Sequence, residues 1–312
     1  MIHHFTPTRY HVTIGWHEPV LHVKDGDTIV TTTVDARGRD HTDTAITPRG
    51  NPQTGPFYVE DAEPGDTLAV HFDRLAPNRA IGWTGRYLAP NVLDPGYVRN
   101  TAESLSDAKT VCRWEMDLDR WTATLIDPAD TRIGRFTLSL SPMLGCFGVA
   151  PSLGQAISCA TSGPYGGNMD YKDFKTGTTV YFPVFAPGAL LHVGDGHAVQ
   201  GDGEIVGTGI EISFDVQITV RVIKGKTIEW LRGETDTHIF AVGNARPLDQ
   251  ALQHATTEMA RWLQTDYGLD QVAAHTLLGQ CVEYEIGNVY DPAYTMVCKV
   301  KKSILRQIGV IA

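Results

Sequence analysis

Asp195 and His197 stand two residues apart in the stretch His192-Val193-Gly194-Asp195-Gly196-His197-Ala198-Val199-Gln200-Gly201-Asp202-Gly203-Glu204. In an extended segment that spacing sends both side chains to one side, where a carboxylate oxygen and an imidazole nitrogen can close on one ion. Asp202 and Glu204 repeat the spacing after a Gly-rich turn. Mixed nitrogen and oxygen donors suit zinc and related metals, whereas an all-oxygen set suits calcium or magnesium. Asp-Gly pairs also make ordinary hairpin turns. The crowding of histidines and carboxylates between two strands is what favours ligands over decoration. His192, three residues before Asp195, is expected on the opposite side, out of reach of that ion.

Two further polar stretches offer partners. Asp35 ends the β-branched run Thr28-Ile29-Val30-Thr31-Thr32-Thr33-Val34, at a sheet rim where it is either a third ligand or a turn residue. Glu60 follows Phe57-Tyr58-Val59. It is either an exposed strand residue or a buried acid whose pKa is raised into the range useful for proton transfer. Two Gly-rich segments, Met143–Pro151 and Gly163–Asp170, lack the spacing of a phosphate or dinucleotide loop. Backbone N–H groups of the second can line a pocket. Cys146 is a conceivable nucleophile, but beside Phe147 it reads better as a buried, inert thiol. No GxSxG, SxxK or HExxH pattern occurs.

The elements that must position these groups are mostly strands. Runs such as Thr28–Val34, Thr67–Phe72, Thr178–Phe182, Leu190–Val193, Glu204–Gly207 and Thr295–Val300 are rich in β-branched and apolar residues, with Gly, Pro or Asp between them. Ile210–Val222 alternates apolar and polar residues, as a strand with one packed face does. Helical periodicity is confined to Pro247–Tyr267, stopped by Gly268, and to Leu269–Ile286, capped by Asp270. The layout is mainly β: a β-rich catalytic body over residues 1–235 and a smaller α+β segment over 236–312.

Composition narrows the function. A net charge of −10 repels nucleic acid and anionic lipid, and no basic run offsets it. No apolar stretch approaches the ~20 residues of a membrane helix. The N-terminal Met1-Ile2-His3-His4-Phe5 does not have the form of a secretory signal. Cys112, Cys146, Cys159, Cys281 and Cys298 are odd in number and form no CxxC pair. They point to reduced thiols in a cytoplasmic protein rather than a disulfide or zinc framework.

Several blocks, in order, resemble the acetamidase/formamidase family, in its shorter, acetamidase-like branch. They are Val34-Asp35-Ala36, Thr54-Gly55-Pro56 with Val59 to Asp66, Leu144 to Pro151, Gly166-Gly167-Asn168-Met169-Asp170, and Gly194 to Glu204. The resemblance implies a sandwich-like β body, homo-oligomeric assembly (dimer or higher), and hydrolysis of a short aliphatic amide to carboxylate and ammonia. It strengthens the metal reading and brings Asp35 and Glu60 into it. On that reading Asp35, Asp195 and His197 hold a divalent metal, zinc first, with calcium or magnesium as alternatives. Glu60 or Glu204 moves the proton, and Gly166, Gly167 and Asn168 stabilise the oxyanion. Phe147 and Met169 wall a small pocket. Three rivals stay open: a Cys146 amidase, a metal-dependent hydrolase of a urea- or guanidine-like compound, and a non-catalytic calcium-stabilised β-protein.

Overall fold

The computed structural model describes residues 1–98, 111–127 and 131–311. Crowding at Cβ in the β-branched runs favours extended backbone, and the runs become strands. Phe214–Ile223 pairs with Thr28–Thr32 on one side and Thr67–Pro77 on the other. Phe214, Val216, Ile218 and Val220 are buried along it, while Asp215, Gln217 and Thr219 are half-buried. The alternation in the sequence is therefore the alternation of burial. The same nine-stranded sheet continues through Thr179–Pro183, Arg232–Glu234, His238–Ala245, Tyr294–Lys301 and Glu283–Asn288. Strands from beyond residue 235 thus extend the sheet of the body, and an expected boundary there runs through it.

A six-stranded sheet packs against this one, in the order Ser162–Gly163, Gly166–Asn168, Met143–Gly148, Leu191–His197, Thr54–Val59, Leu21–Val23. Phe147 joins the two layers. Its ring meets Phe72 at 5.1 Å and Phe182 at 5.7 Å, both edge to face, a geometry that suits the ring quadrupoles. Gly196 makes room for Phe214, whose ring lies 2.3 Å from where a Cβ would stand. The fold is mainly β and sandwich-like. A smaller sheet of Ile81–Gly85, Val111–Asp117, Thr122–Asp127 and Thr137–Ser139 stands beside it.

The helix Leu248–Thr265 buries Ala251, Ala255, Met259, Trp262 and Leu263 on one stripe, as its three- and four-residue spacing requires. Two expected elements differ. The second helix stops at Cys281, and Glu283–Asn288 pairs with Tyr294–Lys301 instead of continuing it. A sheet edge offering backbone partners outweighs the weak helical pattern there. Glu204–Gly207 is a turn rather than a strand, because Gly203, Glu204 and Gly207 all take positive φ. No described helix is long and apolar enough to cross a membrane.

Candidate metal centre

The strand Leu191–His197 lies between Met143–Gly148 and Thr54–Val59, and all seven of its residues are buried. Near its end Asp195 takes φ 60°, a left-handed conformation that Asp tolerates better than most residues. Beyond it, an isolated bridge between His197 and Glu211 brings the Glu211 carboxylate to 2.9 Å from His197 Nε2; Asp195 Oδ1 is 3.4 Å from the same atom. Asp170 arrives from the segment after Gly166–Asn168, its backbone N–H bonded to the Gly145 carbonyl. A Cβ at residue 145 would stand 2.2 Å from Asp170 Oδ1 and 2.7 Å from Asp195 Oδ2. Glycine there is what lets the two carboxylates lie against the strand.

A second layer closes the far side. Asn288 donates from Nδ2 toward Asp170 Oδ2 at 2.7 Å, Asp291 Oδ2 at 2.9 Å and Glu204 Oε2 at 3.0 Å. An amide NH2 has two hydrogens for these three acceptors; Asn168 donates another to Asp291 Oδ2, so the three acids are met by amide N–H groups rather than by a cation. Among the described residues, none of Asp170, Asp195, Glu204, Glu211 and Asp291 is ion-paired with a lysine or arginine.

The electrostatics follow from that shortage. Burial, then the neighbouring carboxylates, push the Asp170 and Glu204 carboxyls well above their usual range. Burial drives Glu211 up to about 7 and Asp291 up to about 6. Burial works against a charged His197, but the Glu211 and Asp195 carboxylates outweigh it and raise its pKa.

Among the described residues, potential ligand atoms fall into three overlapping groups: Asp170, Asp195 and His197; His197, Glu204 and Glu211; and Asp170, Glu204 and Asp291. The third is the set already facing the Asn288 amide. On the other side, Asp170 Oδ1, Asp195 Oδ1, His197 Nε2 and Glu211 Oε2 are buried with no hydrogen-bond partner among the described residues. His197 Nε2 is close to its carboxylates but aligned with neither. Unsatisfied buried atoms of this kind are rare in native proteins. Among the described residues, ligand atoms of Asp170, Asp195 and His197 lie within 4.8 Å of one another, close enough to share one cation on the His197 side.

Known proteins share this frame. The model of the acetamidase/formamidase family matches residues 154–305. The solved acetamidase of Yersinia enterocolitica is 32% identical, with a TM-score of 0.82 over 98% of this chain and 93% of that one. The chain belongs to the acetamidase/formamidase family. The acetamidase structure from Bacillus halodurans gives 30% identity and a TM-score of 0.80 over 98% of this chain and 99% of that one. The acetamidase of Mycolicibacterium smegmatis is 43% identical over 84 residues, covering 27% of this chain and 20% of that protein. The chain spans about half the length, or less, of the curated relatives it matches.

Within this family member the structure brings Asp195, His197 and Glu204 together, but not Asp35 or Glu60. Asp35 is fully buried, and both its oxygens are occupied. Oδ2 accepts from Arg79 Nη2 at 2.6 Å and Trp83 Nε1 at 3.0 Å, and Oδ1 from the backbone N–H groups of Arg37 and Arg39. It lies outside all three ligand groups. Arg79→Met leaves that carboxylate unpaired and is expected to cost about 3–5 kcal/mol, read as a lower urea midpoint. A change under about 1 kcal/mol would mean Asp35 has another partner to turn to. Glu60 sits at the surface, paired with His22 Nδ1 at 2.8 Å and 42% exposed at its side chain. Its strand ends at Val59, so the apolar neighbours do not enclose it.

The expected oxyanion groups are engaged elsewhere. Asn168 accepts from Asn51 Nδ2 at 2.7 Å and donates to Asp291 Oδ2. Gly166 and Gly167 belong to a strand paired on both sides. Their missing side chains allow backbone approach, with Phe147 O and Thr161 O within 2.5 Å and 2.3 Å of a would-be Cβ. Phe147 and Met169 are fully buried core residues.

Cys146 is fully buried, its thiol directed at the Cys159 carbonyl, and burial, Cys159 and the nearby carboxylates all raise its pKa. A protonated, enclosed thiol is a poor nucleophile. Cys146→Ser is expected to keep most of the turnover and the same fold by circular dichroism. Complete loss of turnover in the folded variant would make the sulfur a reacting atom.

Proposed function

We propose that this protein is a metal-dependent amidohydrolase that cleaves the C–N bond of a short aliphatic amide to carboxylate and ammonia. The observation that carries the reading is that buried ligand atoms of Asp170, Asp195 and His197 lie within 4.8 Å of one another, with Asp170 Oδ1, Asp195 Oδ1 and His197 Nε2 finding no hydrogen-bond partner among the described residues. Asp170, Asp195 and His197 would hold the ion, with Glu211 beside them. One nitrogen among oxygens suits zinc and its first-row relatives better than calcium. When bound, such an ion polarises a carbonyl and acidifies water.

The remaining work falls to the chain. Glu204 faces the same cluster from a turn held by Asn288, and burial and the Asp170 carboxylate shift it toward the protonated form, which suits a donor to the departing nitrogen. Asn168, held between Asn51 and Asp291, fixes the orientation of the Asp291 carboxyl at the rim. A small polar amide is the substrate class that the family relationship supports. Free cysteines throughout support a reducing, cytoplasmic setting.

Elemental analysis of purified protein tests the reading together with ammonia release from formamide, acetamide and urea. About one divalent ion per chain, with turnover of the linear amides lost on chelation and restored by zinc, is expected. Full turnover after exhaustive chelation would overturn the metal, and release from urea alone would overturn the substrate.

A further inference from the structure

Gln200 comes from the same stretch as Asp195 and His197, yet nothing in the chemistry above uses it. Its side-chain amide has one reading only. One end lies against two backbone carbonyls, those of Asp170 and, at 3.4 Å, Gly287. Carbonyl oxygens only accept, so that end is the NH2 and the other is Oε1. Oε1 stands 2.8 Å from His197 Nδ1. An amide oxygen also only accepts, so Nδ1 must carry a hydrogen. In the neutral ring Nε2 is then the lone-pair atom, and Nε2 is the nitrogen that faces Asp195 and Glu211 without a hydrogen-bond partner.

We propose that Gln200 is a positioning residue that locks His197 in the Nδ1–H tautomer and thereby presents Nε2 to the ion; the proposal rests on the metal reading above. Two fixed backbone acceptors set the amide, and the amide sets the ring. Gln200 also ties that ring to the carbonyl of Asp170, a second ligand candidate, and to Gly287, the neighbour of Asn288. Gly209 supports the ring from behind, since a Cβ there would stand 2.5 Å from His197 Cγ. Packing therefore fixes where the imidazole lies, and Gln200 fixes which nitrogen holds the proton.

Ring-nitrogen NMR on 15N-histidine protein loaded with Zn2+ tests this, the His197 signals being those that vanish in His197→Ala. In the wild type, Nδ1 is expected to carry the proton and Nε2 to show the metal-bound shift. Gln200→Leu is expected to lower zinc affinity, measured by competition with a chromophoric chelator, about 10–100-fold. Gln200→Glu keeps an oxygen toward Nδ1 and is expected to recover part of that loss. A purely structural role would lower the melting temperature of the metal-free variant while leaving affinity and ring assignment unchanged. Zinc on Nδ1, or wild-type affinity in Gln200→Leu, overturns the proposal alone. A wild type that takes up no zinc overturns the metal reading and the proposal with it. Should Gln200→Leu fail to fold, the wild-type ring assignment decides.

Discussion

His197→Ala protein is expected to fold, to carry little or no metal, and to lose turnover by more than the roughly 10–100-fold that outer partners of a metal ligand cost. His197 is common to two of the three ligand groups and is the only nitrogen donor in any of them. Without it the remaining oxygens are carboxylates that repel one another, and burial already favours their protonated forms. His192→Ala is the contrast. His192 is just as buried but belongs to a different environment. Its Nδ1 donates to the Leu190 carbonyl at 3.0 Å, and its ring stands edge-on to the stacked pair His11 and His17. Burial pushes its pKa down to about 3, so it is a neutral packing ring. Removing it is expected to leave a cavity costing about 2–4 kcal/mol, with metal content and turnover per folded molecule kept. Metal analysis, ammonia release and urea denaturation on both variants separate the roles. Equal loss of metal in the two would mean that the whole strand, rather than His197, holds the ion.

The difference between these histidines was legible in the sequence, because a two-residue spacing keeps Asp195 and His197 together while a three-residue spacing separates His192 from them. The β-rich layout was legible for a similar reason: the alternation over Phe214–Ile223 follows from the pleat itself. What stayed hidden is whatever a distant segment supplies. Glu211 reads locally as one more polar residue on an alternating strand, but that strand begins at Phe214, and Glu211 instead bridges Trp83 and His197. Asn288 and Asp291 reach the cluster because Glu283–Asn288 adds a strand to the sheet edge, and no local pattern in Asn288-Val289-Tyr290-Asp291 announces that. Asp35 shows the reverse. Its residue type and rim position suit a ligand, but Arg79, 44 positions later, takes its carboxylate. Sequence chemistry names groups able to bind an ion; the partner each group finds is settled by long-range pairing.

Metal-free protein is expected to lose stability as pH rises from about 6.5 to 8, opposite to the usual gain from carboxylates, and metal is expected to reverse the trend. The sign follows from linkage. Glu211 moves from 4.5 unfolded up to about 7 folded, and Asp170 and Glu204 are raised in the same direction. His197 is raised as well. A group whose folded pKa exceeds its unfolded value stabilises the fold below the unfolded pKa and loses that contribution as pH passes the folded one. All four groups therefore act in the same direction. Two other effects lie outside this window. Asp27, Asp66 and Asp173 have lowered pKa values, and their contribution is lost only in acid. His11 and His192, lowered to about 4 and about 3, cost stability only below their unfolded value of 6.5. Between pH 6.5 and 8 the central cluster is left to set the slope. An ion requires the carboxylates and the imidazole deprotonated and competes with protons for them, so the stability it adds should grow across the same range. Urea denaturation of chelator-treated protein at several pH values, with and without Zn2+, reads both slopes. A flat or rising metal-free curve, or a zinc increment that does not grow with pH, would mean these carboxyls are not held in one proton-sharing cluster that the ion replaces.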